Sequence, residues 1–558
     1  MAKQSKAWWR GAVIYQIYPR SFMDSNGDGV GDLPGIRQHV PYLKRLNVDA
    51  VWISPFFKSP MKDFGYDVAD YREVDPLFGT LADFDALVAD LHKAGLRVII
   101  DQVLSHSADV HPWFEESRQS RDNPKADWYV WADAKSDGTP PSNWLSVFGG
   151  SAWQWDAQRR QYYLHNFLVS QPDLNFHCED VQQATLDNIE FWLKRGVDGF
   201  RFDACNYHFH DRKLRSNPPA AVVDDITVTA ANPYGMQQHL YDKSRPQNLK
   251  FLKRLRKLLD QYGAASVGEV GDDDSLTRMA EYTSGGDKLN QAYSFNLLTE
   301  HYSAEFIRGQ VLAMEHHLAN YDKPGWVCWS VGNHDVPRVL TRWGHNVADP
   351  QFSRMVLALL TTLRGSSCIY QGDELGLPEA DIPFDLLQDP YGKAFWPQFK
   401  GRDGCRAPMP WKKHAANAGF TVGTPWLPIP EEHKAHAATV QERPLDSVLN
   451  FTRHFLAWRR HYPALIRGDI KFYKAPEPVL LFTRKLDDTT ILVALNLGDA
   501  EMRVTLPGTL HNVIPLSGHG LGRGLIDDGV IDPGRLAALL LRFGSSFTPK
   551  RCGSARAG

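Results

Sequence analysis

The feature that most constrains the fold is a repeated alternation of short apolar strands with amphipathic helices. The predicted strands cover residues 12–17, 50–54, 96–101, 199–203, 265–269, 326–331 and 365–370. Strands that are apolar along their length are typical of a parallel sheet covered on both faces. Repeated βα units predict either a closed (β/α)8 barrel or a doubly wound sheet. No GxGxxG sequence follows the first strand, which disfavours a doubly wound dinucleotide-binding fold. We therefore predict the α/β barrel.

The predicted helices separate these strands and carry recognisable end signals. They cover residues 36–46, 80–94, 180–195, 247–262, 352–363 and 448–462. The second begins at Thr80, which with Asp83 three residues later resembles a capping box. Gly95 is a typical helix terminator. These signals predict helices of ordinary length between the strands.

Length and spacing predict more than one domain. A chain of 558 residues is too long for a single core, so we expect one large domain and one or two smaller ones. Asp101 and Asp203 end neighbouring strands but lie 102 positions apart, whereas a βα unit needs about 30 residues. We therefore predict an inserted subdomain at 104–172. The barrel takes 1–103 and 173–468, with a second insertion at 373–445. Short alternating strands predict a C-terminal β-sandwich at 469–548, followed by a loose tail at 549–558.

Composition excludes several function classes. Hydrophobic residues make up 43% of the chain, charged residues 23%, and the formal net charge is −3. This balance gives no electrostatic support for binding nucleic acid or an anionic membrane. The six cysteines have no CxxC spacing, and the N-terminal residues contain no apolar run. We expect a reduced, cytoplasmic protein without an organic cofactor.

Acidic residues stand where the predicted strands end. Asp101, Asp203 and Glu269 each close a strand, and Asp335 follows another. A single Asp at such a position is more often a helix cap or a loop hydrogen-bond acceptor. In a barrel, however, all the strands end at one face, so these four carboxyl groups are expected to converge there.

Two opposed carboxyl groups suit the cleavage of a glycosidic bond. One ionised carboxylate attacks the anomeric carbon, while a protonated one donates to the leaving oxygen. Arg201 lies two residues before Asp203, on the same face of the strand, and is expected to keep Asp203 ionised. Gly268, which precedes Glu269, is expected to leave room for the sugar ring.

Six short motifs occur in a fixed order along the chain. They are DQVLSH at 101–106, QPDLN at 171–175, GFRFD at 199–203, VGE at 267–269, GNHD at 332–335, and GRDG with PMPW at 401–411. In these motifs the chain resembles glycoside hydrolase family 13, the α-amylase family, and within it the branch of oligo-1,6-glucosidases and α-glucosidases. The resemblance extends from about residue 13 to 543, and it implies the same barrel fold.

The resemblance implies a role for each motif residue. It implies that Asp203 is the nucleophile, Glu269 the general acid/base and Asp335 a third carboxylate that holds the 2- and 3-hydroxyl groups. It further implies a set of substrate-binding residues, with Tyr66 as the stacking floor: Asp67, Tyr66, His106, Arg201, His334, Arg402, Phe148 and Phe167.

Residues 24–32 predict a structural cation site. Oxygen-bearing residues recur at every second position: Asp24, Asn26, Asp28, Val30 through its carbonyl, and Asp32. The spacing resembles the start of an EF-hand, although Gly35 stands where the last acidic ligand belongs. The family branch implies Ca2+ or Mg2+ here. The alternative is an Asx-rich turn without a metal.

Together these features predict a retaining, exo-acting α-glucosidase. Ala204 follows the predicted nucleophile, and in this branch a small residue there goes with α-1,4 activity and valine with α-1,6. The expected substrates are maltose and short malto-oligosaccharides, with transfer to alcohol or sugar acceptors, and the expected state is a monomer or small homo-oligomer. The alternatives are an oligo-1,6-glucosidase, an endo-acting amylase, a sucrose or trehalose isomerase and, more remotely, a non-catalytic scaffold like the transporter heavy chains.

Overall fold

The computed structural model describes residues 7–543 except 222–227, 345–348, 508–509, 511–512, 522–524, 528–529 and 533–536. The predicted tail at 549–558 and the first six residues lie outside the described residues. In the described ranges, no helix has the length and apolarity needed to cross a bilayer. Five cysteines are described, and all five are free thiols.

Eight parallel strands close into a barrel, which confirms the predicted fold. They are β1 (Val13–Ile17), β2 (Ala50–Ile53), β3 (Arg97–Val103), β4 (Gly199–Asp203), β5 (Ala265–Glu269), β6 (Gln291–Ser294), β7 (Val327–Ser330) and β8 (Ser366–Tyr370). Each strand pairs with the next along the chain, and β8 pairs with β1. Because every strand runs in the same direction, their carboxyl ends form one rim.

Helices surround the barrel. The α-helices are Leu33–Gln38, Val40–Arg45, Leu81–Ala94, Pro112–Ser117, Glu179–Lys194, Asn248–Tyr262, Ser275–Thr283, Ala304–Ala319, Val339–Trp343, Pro350–Thr362, Pro390–Phe395, Glu431–Ala435, Ala438–Gln441, Val448–Arg459 and Pro463–Arg467. Short 3-10 turns cover Pro19–Ser21, Pro233–Met236, Asp373–Leu375, Phe384–Leu386 and Ala416–Gly419. Their apolar faces and the outer faces of the strands form one large buried core.

Three further groups of strands lie outside the barrel. Between β3 and β4, the strands Trp131–Ala132, Gln161–Leu164 and Trp153–Asp156 form a small antiparallel sheet. A short pair, Phe57–Lys58 and Asp70–Val74, follows β2. In the described residues after 468, the sheets are all antiparallel, which confirms an all-β C-terminal domain. Their strands are, in sheet order, Asp469–Tyr473, Val479–Leu486, Thr489–Asn496, Ala537–Phe543 and Val513–Pro515, and then Val504–Thr505, Val530–Asp532 and Leu525–Asp527.

Candidate active site

A buried arginine joins the carboxyl groups at the carboxyl ends of three neighbouring strands. Arg201 is 2% exposed. Its Nη1 lies 2.7 Å from Oδ1 of Asp203 and 2.9 Å from Oδ1 of Asp101, and its Nη2 forms an ion pair with Glu269. The backbone N–H of Ala204 also donates to Oε2 of Glu269, over 2.9 Å. The ends of β3, β4 and β5 therefore bring together three of the four predicted carboxyl groups.

The two carboxyl groups assigned to catalysis differ in acidity. Burial raises the pKa of Asp203, the charge of Arg201 opposes that rise, and the result is a pKa of about 6. Burial raises the pKa of Glu269 to about 8; the charge of Arg201 opposes this rise, and the neighbouring Asp203 adds to it by disfavouring a second negative charge. At pH 7 the pair therefore favours ionised Asp203 and protonated Glu269.

Asp335, the fourth carboxylate, lies in a positively charged setting. Its Oδ1 is 2.9 Å from Nη2 of Arg406 and 3.2 Å from Nη1 of Arg402, and its Oδ2 is 3.2 Å from Nε2 of His334. Burial opposes its ionisation, but His334 and the two arginines outweigh burial and hold its pKa well below the usual range. Because burial lowers the pKa of His334 to about 3, that imidazole is neutral at pH 7 and the arginines supply the charge.

The hydrogen bonds of His334 fix its tautomer. The side-chain amide nitrogen of Gln16 lies 2.8 Å from Nδ1 of His334, and an amide N–H can only donate. Nδ1 is therefore the acceptor, and Nε2 carries the hydrogen. Nε2 lies 2.6 Å from the hydroxyl of Tyr66, which itself donates to Asp101. The ring of Tyr66 stacks on His334 with 5.3 Å between the centroids.

A cavity of about 170 Å³ opens on these groups. The cavity is lined by the predicted catalytic carboxyl groups, by aromatic rings and by Arg402. Among its lining residues are Asp63, Tyr66, His106, Phe148, Phe167, Asp203, Ala204, Tyr207, Glu269, Phe295, Leu298, Asp335, Val336, Tyr391 and Arg402. Arg201 and His334 lie behind this lining. They contact residues that line the cavity: Arg201 contacts Asp203 and Glu269, and His334 contacts Tyr66 and Asp335.

The structure does not bring Asp67 to the cavity. This residue, predicted to bind the terminal sugar, is fully buried, and its carboxylate accepts hydrogen bonds from Ser59 and from the backbone of Lys62 and Asp63. Asp63 takes the expected place instead. It lines the cavity and lies 3.0 Å from Nη2 of Arg402.

Apart from Arg201 and His334, which lie behind the lining, the other predicted binding residues do line the cavity. His106 is buried, and its ring lies 5.0 Å from that of Phe167. The guanidinium of Arg402 lies 5.2 Å above the ring of Phe148. Asp389 holds Arg402 from behind, at 2.8 Å, and also caps the helix Pro390–Phe395.

Besides Asp63, two residues of this charge network escaped the sequence analysis. In the sequence, Asp389 has the features of an ordinary helix cap, and it does cap the helix Pro390–Phe395. No sequence signal indicates its ion pair with Arg402. Arg406 lies four residues after Arg402 in a segment without helical or strand periodicity. Only the folded loop after β8 brings both arginines to Asp335.

The space at Gly268 is filled by protein. A Cβ at this position would lie 2.3 Å from Cδ1 of Leu289 and 2.9 Å from Sγ of Cys205. The glycine therefore permits close packing behind β5. The sequence-based prediction that it leaves room for a sugar ring is wrong. Cys205 also donates through its backbone N–H to the carbonyl of Glu269, over 3.1 Å.

The loop predicted to bind a cation is closed by its own hydrogen bonds. The side chains of Asp24, Asn26 and Asp28 accept N–H groups from residues further along the loop, and Asp32 caps the next helix. All the predicted ligands are oxygen atoms, the type that Ca2+ and Mg2+ prefer, so the donor set fits such an ion. No group of three or more His, Cys, Asp or Glu side chains in the described ranges could hold a metal. The amide of Asn26 and the carbonyl of Val30 would therefore have to complete the site.

Residues 16–468, most of the chain, match the family described as alpha amylase, catalytic domain. The chain belongs to the alpha-amylase family. This enzyme is 53% identical over 537 residues to a protein of Rhizobium meliloti (strain 1021) named probable alpha-glucosidase, covering 95% of this chain and 96% of the relative. It is 36% identical to an oligo-1,6-glucosidase of Heyndrickxia coagulans, covering 90% of this chain and 94% of the relative.

Solved structures agree with this placement. An alpha-glucosyl transfer enzyme, XgtA, matches with a TM-score of 0.93 at 56% identity, covering 96% of this chain and 99% of that one. The trehalulose synthase MutB of Pseudomonas mesoacidophila MX-45 matches with a TM-score of 0.86 at 31% identity, covering 96% and 99%. The enzyme is thus a glycoside hydrolase of the oligo-1,6-glucosidase and α-glucosidase branch.

Proposed function

We propose that the enzyme is a retaining α-glucosidase that removes terminal glucose from maltose and short α-1,4-glucosides. The observation that carries this proposal is one buried guanidinium that contacts two carboxyl groups at the ends of neighbouring strands, both of which line the cavity. Arg201 contacts both Asp203 and Glu269, yet the pKa is about 6 for the first and about 8 for the second. One is thereby suited to act as nucleophile and the other as acid.

The proposed reaction has two steps. The carboxylate of Asp203 attacks the anomeric carbon, and the carboxyl of Glu269 gives its proton to the leaving oxygen, which departs with the bonding electron pair. Glu269, now ionised, then removes a proton from water or an acceptor hydroxyl, whose oxygen displaces Asp203 from the sugar. Two inversions return the α configuration. Asp335, ionised between its arginines, would bind the sugar hydroxyls.

Exo action is supported by the charged wall on one side of the cavity. Arg402 joins Asp63, Asp335 and Asp389 in a network with contacts of 2.8–3.2 Å. Such fixed donors and acceptors suit the hydroxyl groups at the non-reducing end of a chain. A sugar held there would have no continuation beyond the network.

The linkage preference is proposed from Ala204. Its backbone adopts φ 41°, a conformation that is costly for a β-branched side chain, and it lines the cavity beside Asp203. An alanine leaves space there that a valine would fill. The similarity to a protein named oligo-1,6-glucosidase supports α-1,6 cleavage as an alternative. The similarity to a trehalulose synthase supports isomerisation as another.

Transfer to acceptors is supported by the apolar side of the cavity. Phe295, Leu298 and Val336 line it together with Tyr207. These side chains offer an acceptor molecule apolar contact area, which water cannot use. The similarity to a protein named alpha-glucosyl transfer enzyme points the same way.

Proton NMR of the purified enzyme with maltose, and in parallel with isomaltose, tests the proposal. We expect α-glucose to appear first from maltose, isomaltose to react more slowly, and new glucosides to form at high maltose. First release of β-glucose would overturn the assignment of Asp203 and Glu269. Faster cleavage of isomaltose would overturn only the linkage preference.

Two variants separate the proposed roles. Asp203→Asn is expected to abolish turnover of every α-glucoside. Glu269→Gln is expected to lower kcat/KM for maltose, which reports the first step, by about 10²–10⁴-fold, and to lower it less for aryl α-glucosides, whose leaving groups need no proton. Equal losses of kcat/KM on both substrates in Glu269→Gln would contradict its role as acid.

We also propose that the loop at 24–32 binds one structural Ca2+ or Mg2+. The ion would neutralise Asp24, Asp28 and Asp32 and stabilise the loop after β1. It is proposed to take no part in the reaction.

A further inference from the structure

A second cavity, of about 350 Å³, lies at the opposite end of the barrel from the catalytic carboxylates. Its lining residues come directly before the strands. Asn290 precedes β6, Gly325 lies two residues before β7, and Arg364 lies two residues before β8. Since Asp203 and Glu269 stand at the carboxyl ends of β4 and β5, the two cavities open at opposite faces.

The lining of this second cavity is cationic. Arg10, Arg256, Lys323 and Arg364 all line it, and no acidic residue does so in the part of the chain that the structure describes. Asp287, close by in sequence, is already paired with Lys253 and Lys288.

Two of the four cations have carboxylate partners outside the lining. Nε of Arg256 lies 2.7 Å from Asp260, and Nη1 of Arg364 lies 2.8 Å from Glu315. Arg10 and Lys323 form no ion pair with any residue in the described ranges. Among the described residues, two positive charges at this cavity therefore have no carboxylate in an ion pair with them.

Arg10 is held in place although it is unpaired. Its guanidinium carbon lies 5.1 Å from the ring centre of Trp9 and 5.0 Å from that of Trp326, and the guanidinium of Arg364 lies 4.8 Å from the same Trp326 ring. Partial burial, and next the positive charge of Arg364, lower the pKa of Arg10. Two guanidinium groups fixed on one indole ring, with burial and mutual repulsion acting against them, form a preorganised site for a negative charge.

We propose that this cavity binds a small phosphate-bearing anion. Guanidinium groups match the tetrahedral oxygens of phosphate through paired, charge-assisted hydrogen bonds. The concave shape and limited volume suit a small molecule. A nucleic acid polymer is disfavoured because the whole chain carries a net charge of −3. The indole and leucine surfaces of Trp9 and Leu289 offer apolar contact to the remainder of a phosphate ester.

Isothermal titration of the full-length enzyme with inorganic phosphate and with glucose 6-phosphate tests the proposal. Ionic strength is held constant with sodium chloride, and excess glucose occupies the catalytic site. We expect at least one of the two probes to bind. In a variant with Arg10→Gln and Lys323→Gln, its Kd should rise about tenfold or more, because two charge-assisted contacts are lost.

The matched control removes the same two charges elsewhere. Arg212 and Lys213 are exposed and lie outside this cavity, and Arg212→Gln with Lys213→Gln should leave the Kd unchanged. Equal melting temperatures and equal turnover of maltose would establish that both variants are folded. Binding of the ester alone identifies an organic phosphate as the ligand, and equal binding of both probes identifies the phosphate group as the recognised part. No binding by either probe at about 10 mM, or equal weakening in the two variants, would overturn the proposal.

Discussion

At the scale of single residues, the acidity of two carboxyl groups sets the expected pH dependence. In the proposed mechanism Asp203, with a pKa of about 6, must be ionised to attack, and Glu269, with a pKa of about 8, must be protonated to donate. The rate constant kcat/KM for maltose should therefore rise as the pH increases through about 6 and fall above about 8. A pH–rate profile measured with an aryl α-glucoside should lose its alkaline limb in Glu269→Gln. An alkaline limb that persists in this variant would assign it to another group.

Close packing behind the general acid gives a second prediction at this scale. Gly268→Ala should destabilise the fold by about 1–3 kcal/mol, since the new methyl group overlaps Leu289 and Cys205. Thermal unfolding measures the loss. Leu289→Ala alone creates a cavity, but added to Gly268→Ala it should recover part of the stability. If the two losses simply add, the methyl group does not meet Leu289.

The sequence predicts the positions of the proposed catalytic carboxylates better than those of the proposed sugar-binding ones. Asp203 and Glu269 end strands whose direction alone brings them together, so strand positions suffice. Asp63 and Asp67 lie at similar distances from Gly65 in the chain. The turn at Gly65, with φ 109°, directs Asp63 to the cavity and Asp67 to backbone N–H groups. A turn geometry of this kind leaves no periodic signal in the sequence.

At the scale of elements, helix ends follow local signals closely. The helix Leu81–Ala94 begins at Thr80, whose side chain accepts from the backbone of Asp83 while Asp83 accepts in return, and it ends at Gly95 with φ 85°. Thr80→Ala should therefore cost about 1 kcal/mol of unfolding free energy in a denaturant titration. Thr80→Ser, which keeps the hydroxyl, is the control and should cost less. An equal cost for both variants would show that the methyl group, and not the cap, matters.

The structure differs from the predicted elements in two places. The segment 36–46 has one helical period, yet the chain forms two helices, because His39 adopts φ −99° and ψ 8° just before Val40 and a proline. The strand β6 (Gln291–Ser294) begins and ends in polar residues, so it lacks the apolar run that marks the other strands. All four of its residues are buried. Its polar end residues are buried because the neighbouring strands of the barrel enclose them, and the sequence of β6 alone does not show this burial.

At the scale of the whole molecule, the loop at 24–32 ties the beginning of the barrel to the segment after β8. Asp24 donates through its backbone to Phe420 and accepts at Oδ2 from the hydroxyl of Thr421. Trp426 in turn donates to the carbonyl of Gly29. A cation in this loop should therefore stabilise contacts between distant parts of the chain.

Treatment with a chelator tests whether the proposed cation is present and whether it stabilises these contacts. The melting temperature should fall after treatment with EDTA and recover with Ca2+, since an ion that binds only the folded state stabilises it. Asp28→Asn keeps an acceptor for the N–H of Val30 but loses a charged ligand, so its melting temperature should respond less to Ca2+. No divalent metal by elemental analysis of fresh protein, together with no effect of EDTA, would leave an Asx-rich turn as the explanation.

One buried arginine contributes to the attachment of the C-terminal domain to the barrel. Arg484, on the strand Val479–Leu486, is fully buried and donates to the carbonyls of Thr362 and Leu363, at the end of the helix before β8, and to those of Leu465 and Gly468. Burial lowers its pKa to about 9, and carbonyl oxygens alone are its hydrogen-bond partners among the described residues. The guanidinium is thus held in low dielectric surroundings by the partial charges of four carbonyl groups.

Arg484→Met keeps an unbranched chain but removes the guanidinium donor that these carbonyl groups share, while the Leu465 carbonyl keeps a second donor, Nη2 of Arg459 at 3.4 Å. Each buried acceptor without a partner costs about 1–3 kcal/mol, so the variant should lose about 3 kcal/mol or more of unfolding free energy. Lys485→Met, which changes the neighbouring exposed side chain on the same strand, is the control and should change stability little. Urea unfolding followed by tryptophan fluorescence measures both. Because the catalytic rim lies at the other end of β8, turnover of maltose by the folded Arg484→Met variant should remain close to that of the unmodified enzyme. A large loss of turnover without a loss of stability would mean that Arg484 acts on the active site and not on the attachment of the domain.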